Sequence, residues 1–155
     1  MDAEKNTLAG ALWVRDFKQP LEDEDIYKSI VSMLPCISPV VSIVQSIEDI
    51  YMSRRPDITG KGQCAVLMLL GVHPSYRRRG IANNLTAYAC RHLKEKGYKY
   101  VILESSGAYS AKCAEGAGMK AVVSKVYSEC SEVFRGIPHE HSCMTLWEIK
   151  SEYID

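Results

Sequence analysis

Arg77, Arg78 and Arg79 stand directly ahead of Gly80, and Ala82 follows two residues later. Residues of this type at this spacing can hold an anion. The first amides of a helix have no internal partners and carry the positive end of the macrodipole. Gly80 and Ala82 are small enough to let the main chain come close, and three guanidinium groups neutralise charge, so the turn suits a diphosphate. The same residues also describe a solvated basic run ahead of an ordinary amphipathic helix. No Gly-Lys-Ser/Thr follows, which excludes a P-loop, and the pattern is not the Gly-x-Gly-x-x-Gly of dinucleotide folds.

The elements around the turn must position it. Ala65 to Leu70 is a short apolar run ending at Gly71, which reads as a strand buried on both faces. His73-Pro74-Ser75 breaks that strand, since proline has no amide to give a ladder. Ile81, Leu85, Tyr88, Ala89, His92 and Leu93 fall on one helical stripe. Gly97 caps the helix, and Tyr98 to Leu103 reads as a strand parallel to the first, joined by a right-handed crossover. Glu104, Ser105 and Ser106 then offer N-cap oxygens to a short helix that stops near Gly118. Met119 to Tyr127 and Ser142 to Ile149 read as strands joined by a long hairpin connection. Upstream, Thr7 to Phe17 alternates as a strand, residues 21–34 read as a helix with an acidic start, and Val40 to Tyr51 as a second helix after Pro39. The expectation is an α/β chain with a mixed sheet, one domain over residues 1–155.

Composition narrows the function classes. Nineteen basic and nineteen acidic side chains cancel, so no global field favours nucleic acid or an anionic membrane. The six cysteines contain no Cys-x-x-Cys pair and read as free thiols. No signal-peptide core opens the chain, and no apolar run approaches the roughly 20 residues of a membrane span, so a cytoplasmic setting is expected. His139, Glu140 and His141 lack a third well-spaced ligand, and no metal is expected.

Arg77-x-x-Gly80-x-Ala82 resembles the (Gln/Arg)-x-x-Gly-x-(Gly/Ala) motif with which the GNAT superfamily of N-acetyltransferases holds the pyrophosphate of coenzyme A. The resemblance implies acetyl-CoA as co-substrate. It also implies cofactor contacts from Leu70, Gly71 and Val72 on the strand, and from Arg77, Arg78, Arg79, Gly80, Ile81 and Ala82 on the turn and helix start. Residues 104–119, ESSGAYSAKCAEGAGM, resemble the corresponding stretch of insect-type arylalkylamine N-acetyltransferases, with Gly118-Met119 replacing the usual Gly-aromatic pair. In that branch two serines four apart, the second after a tyrosine, serve catalysis or substrate binding; the matching positions are Ser106 and Ser110.

Amine acetylation needs an aligned neutral amine, a proton acceptor and help for the departing thiolate. Ser106, Tyr109 and Ser110 could donate to the sulfur, although serines at a helix start often serve only as caps. The glutamate that is the usual base of the insect branch lies in a front part of the fold that this sequence is expected to lack. His73 is the first substitute, with an imidazole titrating in the right range, or it is a plain turn residue. Glu104 is the second, or it is a strand-end carboxylate capping the next helix. The expected function is acetylation of a small, arylalkylamine-like primary amine. A weakly active or inactive acyl-CoA-binding module and a protein or peptide acetyltransferase are the alternatives, and an unpaired sheet edge offers a route to a homodimer.

Overall fold

The structure is a computed structural model that describes residues 7–19 and 38–155. The helix expected over residues 21–34 lies outside the described residues. Strand β1 (Gly10–Asp16) is followed by helix α1 (Ser38–Ser53), β2 (Cys64–Val72), α2 (Ile81–Glu95), β3 (Tyr100–Ser105), α3 (Ala108–Gly116), β4 (Lys120–Val126), the short α4 (Tyr127–Cys130) and β5 (Cys143–Lys150). The five strands form one mixed sheet in the order β1-β2-β3-β5-β4, in which β2 and β3 are parallel and every other pair is antiparallel.

Alternation along the strands divides the core in two. Val66, Ile102 and Leu146 point to the face covered by α1, where Ile43, Ile47 and Tyr51 recur at helical spacing. Ala65, Leu67, Val101 and Leu103 point to the opposite face, against Ala89, Cys90 and Leu93 of α2 and Ala114 of α3. The α1 face also buries a charge, Glu148, which is 6% exposed. It accepts hydrogen bonds from the Tyr51 hydroxyl at 2.7 Å and from Arg55 Nε at 2.7 Å, while Arg55 Nη2 reaches its other oxygen. Burial, together with the neighbouring Glu148, pushes the Tyr51 hydroxyl far above the usual tyrosine range. A buried carboxylate left without its partners would be costly, so these three residues fix the distance between α1 and the sheet.

One break interrupts this sheet between its two parallel strands. β2 and β3 pair only from Cys64–Tyr100 to Leu67–Leu103. Beyond that point β2 continues against β1 alone, as far as Val72 opposite Gly10, and β3 continues against β5, with Glu104 opposite Leu146 and Ser105 opposite Thr145. The two central strands therefore part after Leu67 and Leu103.

Candidate active site

A β-bulge marks the split. In the β1–β2 register Val14 faces Leu67 and Trp13 faces Leu69, so Met68 is the extra residue, at the point where β2 leaves β3. Burial changes at the same place. Cys64 to Leu67 are buried, whereas Met68 is 36% and Leu69 is 62% exposed. The expectation of a strand buried on both faces through Leu70 holds only to Leu67; the apolar run is continuous because its second half lines an opening. Leu70 and Val72 are half-buried and Gly71 is exposed. Alternate main-chain groups of this half face the gap, where no described strand pairs with them.

At the end of β2, Pro74–Tyr76 forms a 3-10 turn that tucks Tyr76 inside. Arg77 Nε donates to the Val72 carbonyl at 3.4 Å, and Arg79 donates to the Ser75 carbonyl at 3.2 Å with its guanidinium 5.2 Å from the Tyr76 ring centre. Arg78 has a left-handed backbone, φ 62°, and so does Gly80, φ 74°. Gly80 is the N-cap of α2 and gives the helix no side-chain cap, so the orphan amides of Ile81, Ala82 and Asn83 are left for another acceptor. A Cβ built on Gly80 meets nothing within 4 Å, so the space above the helix start is open. The buried stripe of α2 is Thr86, Ala89, Cys90 and Leu93. Tyr88 and His92, expected on that stripe, are exposed and stack on one another at 5.9 Å. The stripe is turned because Thr86 is buried, its hydroxyl satisfied by the Ala82 carbonyl at 3.0 Å.

The hydroxyl candidates gather at the start of α3. Gly107 is the N-cap and no local side chain caps this helix. The cap comes from far along the chain: His141 Nδ1 accepts the Ala108 amide at 3.2 Å. The ring packs so closely that a Cβ on Gly107 would lie 2.6 Å from Nδ1. Tyr109 is exposed, its ring 5.4 Å from that of His141. The Ser110 hydroxyl donates to the Gly107 carbonyl at 3.0 Å. Ser106 is exposed and its carbonyl accepts from the Tyr127 hydroxyl at 3.1 Å. Ser105 is buried, its hydroxyl donating to the Thr145 carbonyl at 3.2 Å and accepting from Trp147 Nε1 at 2.8 Å. The serine caps expected from the sequence are thus replaced by an imidazole. His139 to His141, within the long connection between β4 and β5, form a 3-10 turn that delivers this ring.

His73 is exposed beside the basic turn, where its Nδ1 accepts the Ser75 amide at 3.3 Å. It stands six residues past Leu67, about 20 Å along an extended strand from the split. Glu104 is much nearer: it is the first residue of β3 past the last pair with β2. Among the described residues its Oε1 is buried with no hydrogen-bond partner. Burial first, and then the charge and hydrogen bond of Glu48 on α1, push its carboxyl up to about 8; Arg15 on β1 opposes the shift. Arg15 is itself paired to Glu48 at 2.7 Å. Sequence reasoning missed Glu48, which reads there as one more polar position on an amphipathic helix; the usable signal was its place directly after the buried Ile47. Among the described residues no group of three or more His, Cys, Asp or Glu side chains could hold a metal ion.

The sequence matches the profile of the acetyltransferase (GNAT) family over residues 45–119. That stretch runs from within α1 to Met119, the residue before β4, and contains the split, the basic turn and Ser106 to Ser110. No curated protein is significantly similar in sequence. Among solved structures, a mosquito arylalkylamine N-acetyltransferase like 5b superposes with a TM-score of 0.71 at 15% identity, covering 96% of this chain and 71% of that one. Arylalkylamine N-acetyltransferase 2 from Aedes aegypti gives a TM-score of 0.69 at 15% identity, covering 92% and 68%. A Drosophila melanogaster polyamine N-acetyltransferase that forms N-acetylagmatine gives 0.65 at 18% identity, covering 92% and 69%. At these identities the superpositions establish a common fold.

Proposed function

We propose that this protein transfers acetyl from acetyl-CoA to the nitrogen of a small primary amine, with residues 1–155 acting as one domain; the match of residues 45–119 to the profile of the GNAT acetyltransferases, a family whose co-substrate is acetyl-CoA, supports the reading. The observation that carries the reading is the split after Leu67 and Leu103, with an uncapped, glycine-led helix start and three arginines at its outer end. Such a gap fits an acyl-CoA. Alternate main-chain groups along Leu70, Gly71 and Val72 face the gap and can pair with an amide-bearing chain. The amides of Ile81 and Ala82, behind Gly80, can accept a diphosphate, with Arg77, Arg78 and Arg79 neutralising it.

Acetyl-CoA supplies an acetyl group already activated as a thioester. The protein's own residues have only to align the amine, take its proton and stabilise the sulfur as it leaves. Ser110 and Tyr109, at the first turn of α3, are the proton donors of this proposal, with Ser106 helping to hold the amine. An arylalkylamine is the substrate class that the likeness to residues 104–119 favours; the polyamine enzyme on the same fold makes agmatine and spermidine natural comparisons. His73, held by the turn, has less support as a base than Glu104.

The five described cysteines are free, and no described helix is long and apolar enough to cross a membrane. The free thiols suit a cytoplasmic enzyme. The outer edge of β1 is the place for a homodimer. Thiol release from acetyl-CoA in the presence of dopamine, agmatine, spermidine or a lysine peptide tests the proposal. Release with a small amine supports it. Release with the peptide alone makes the protein a peptide acetyltransferase, and saturable CoA binding with no release makes it a binding module.

A further inference from the structure

The sheet carries one carboxyl group that packing alone does not explain. Alternation along β3 puts Tyr100, Ile102 and Glu104 on the α1 face. The first two fill the core, and the third ends the row at the split. Among the described residues its Oε1 is buried without a partner, a state that costs free energy unless something else occupies the site at work. The charged groups that act on it are Glu48 from α1 and Arg15 from β1, while β5 presents Leu146 opposite it. Glu48 is anchored by Arg15, so the row Arg15, Glu48, Glu104 crosses the sheet from its edge to the split.

We propose that Glu104 is the proton acceptor for the amine, and that Glu48 and Arg15 are positioning residues that keep its carboxyl at the split. The inference rests on the acetyltransferase reading and adds to it the residue that takes the proton. In the step, the amine nitrogen bonds to the acetyl carbon as the carbon–sulfur bond breaks. The proton lost by nitrogen goes to the Glu104 carboxylate, the thiolate takes up a proton from a hydroxyl at the start of α3, and exchange with solvent then discharges Glu104 and restores the hydroxyl. The products are the acetamide and the free thiol, with no further reactant. A base titrating near 8 is well matched to an aliphatic amine, whereas an ordinary glutamate would be too weak.

Glu104→Gln keeps the shape and removes the base. With whichever of dopamine, agmatine and spermidine the wild type turns over fastest, the variant should lose about 100-fold or more in kcat/KM. The limb of the pH profile near 8 should vanish, and the KM for acetyl-CoA should stay as it was. Glu48→Gln removes a neighbouring negative charge and should move that limb to lower pH. A second readout needs no substrate. A carboxyl raised from 4.5 to about 8 binds a proton in the folded chain that the unfolded chain has released, so its contribution to stability falls as pH rises through that window. The melting temperature of Glu104→Gln should therefore gain on the wild type between pH 5 and pH 8. Wild-type kcat/KM in Glu104→Gln, a retained limb, or a pH-independent melting difference would overturn the assignment while leaving the acetyltransferase reading intact. If Glu104→Gln fails to fold, an unmoved limb in Glu48→Gln overturns it instead. A wild type that turns over none of the three amines overturns both.

Discussion

The imidazole of His141 accepts the main-chain amide of Ala108 at 3.2 Å, and so a residue 33 positions downstream closes the first turn of the helix that carries Tyr109 and Ser110. An acceptor at Nδ1 requires that nitrogen to be unprotonated. His141→Ala should cost about 0.5–2 kcal/mol in stability, the usual range for a lost cap, and lower kcat more than it changes the KM for acetyl-CoA. Gly107→Ala should reproduce the effect, because its Cβ would stand 2.6 Å from Nδ1 and displace the ring. Melting curves and initial rates of the two variants check this; a normal kcat in both separates the cap from the chemistry.

The basic turn should tolerate change in the free protein better than in binding. Arg77→Glu with Arg79→Glu exchanges charge-assisted contacts, each about 1.5–3 kcal/mol, for repulsion of the diphosphate. Gly80→Leu should add a strain of about 1–2 kcal/mol at its left-handed backbone and fill the open space above α2. Titration calorimetry with CoA should show affinity falling by at least tenfold in each variant. Unchanged affinity with a normal melt would remove the turn from the cofactor site.

Ser110→Ala should lower kcat by about 10²–10⁴-fold, the range for assistance by a positioned acid or base, with little change in the KM for acetyl-CoA. The serine's present bond to the Gly107 carbonyl is local, and breaking it should leave the melting temperature close to that of the wild type. Tyr109→Phe is the paired variant. Loss of turnover there, with Ser110→Ala active, makes the tyrosine the proton donor.

Arg55→Met should destabilise the chain by about 3–5 kcal/mol, because Glu148 would keep only the Tyr51 hydroxyl while remaining buried. For a chain of this size that corresponds to a drop in melting temperature of roughly 6–20 °C. Thermal denaturation checks it, and the double change Arg55→Met with Glu148→Leu should recover much of the loss.

Much of this arrangement was legible in the sequence. The order of strand, basic turn and helix follows from Pro74 and Gly80, and the parallel pairing of β2 with β3 from a crossover helix of that length. The split itself was legible only in outline, since periodicity does not distinguish Cys64 to Leu67, buried by neighbours, from Leu69, which lies past the last pair with β3 and is 62% exposed. The orientation of α2 was misread because threonine and cysteine at 86 and 90 pack inward while the larger Tyr88 and His92 stack outside. Glu48 and His141 act across 56 and 33 residues of chain, on Glu104 and Ala108, and nothing local in the sequence pairs them with those positions.

The most direct test of the account is the initial rate of thiol release as acetyl-CoA and a small amine are varied together, with mass spectrometry of the amine product. Direct transfer predicts saturation in both substrates, intersecting double-reciprocal lines, and an amine heavier by one acetyl group. Tight CoA binding without amine-dependent release, or an unmodified amine, would contradict it.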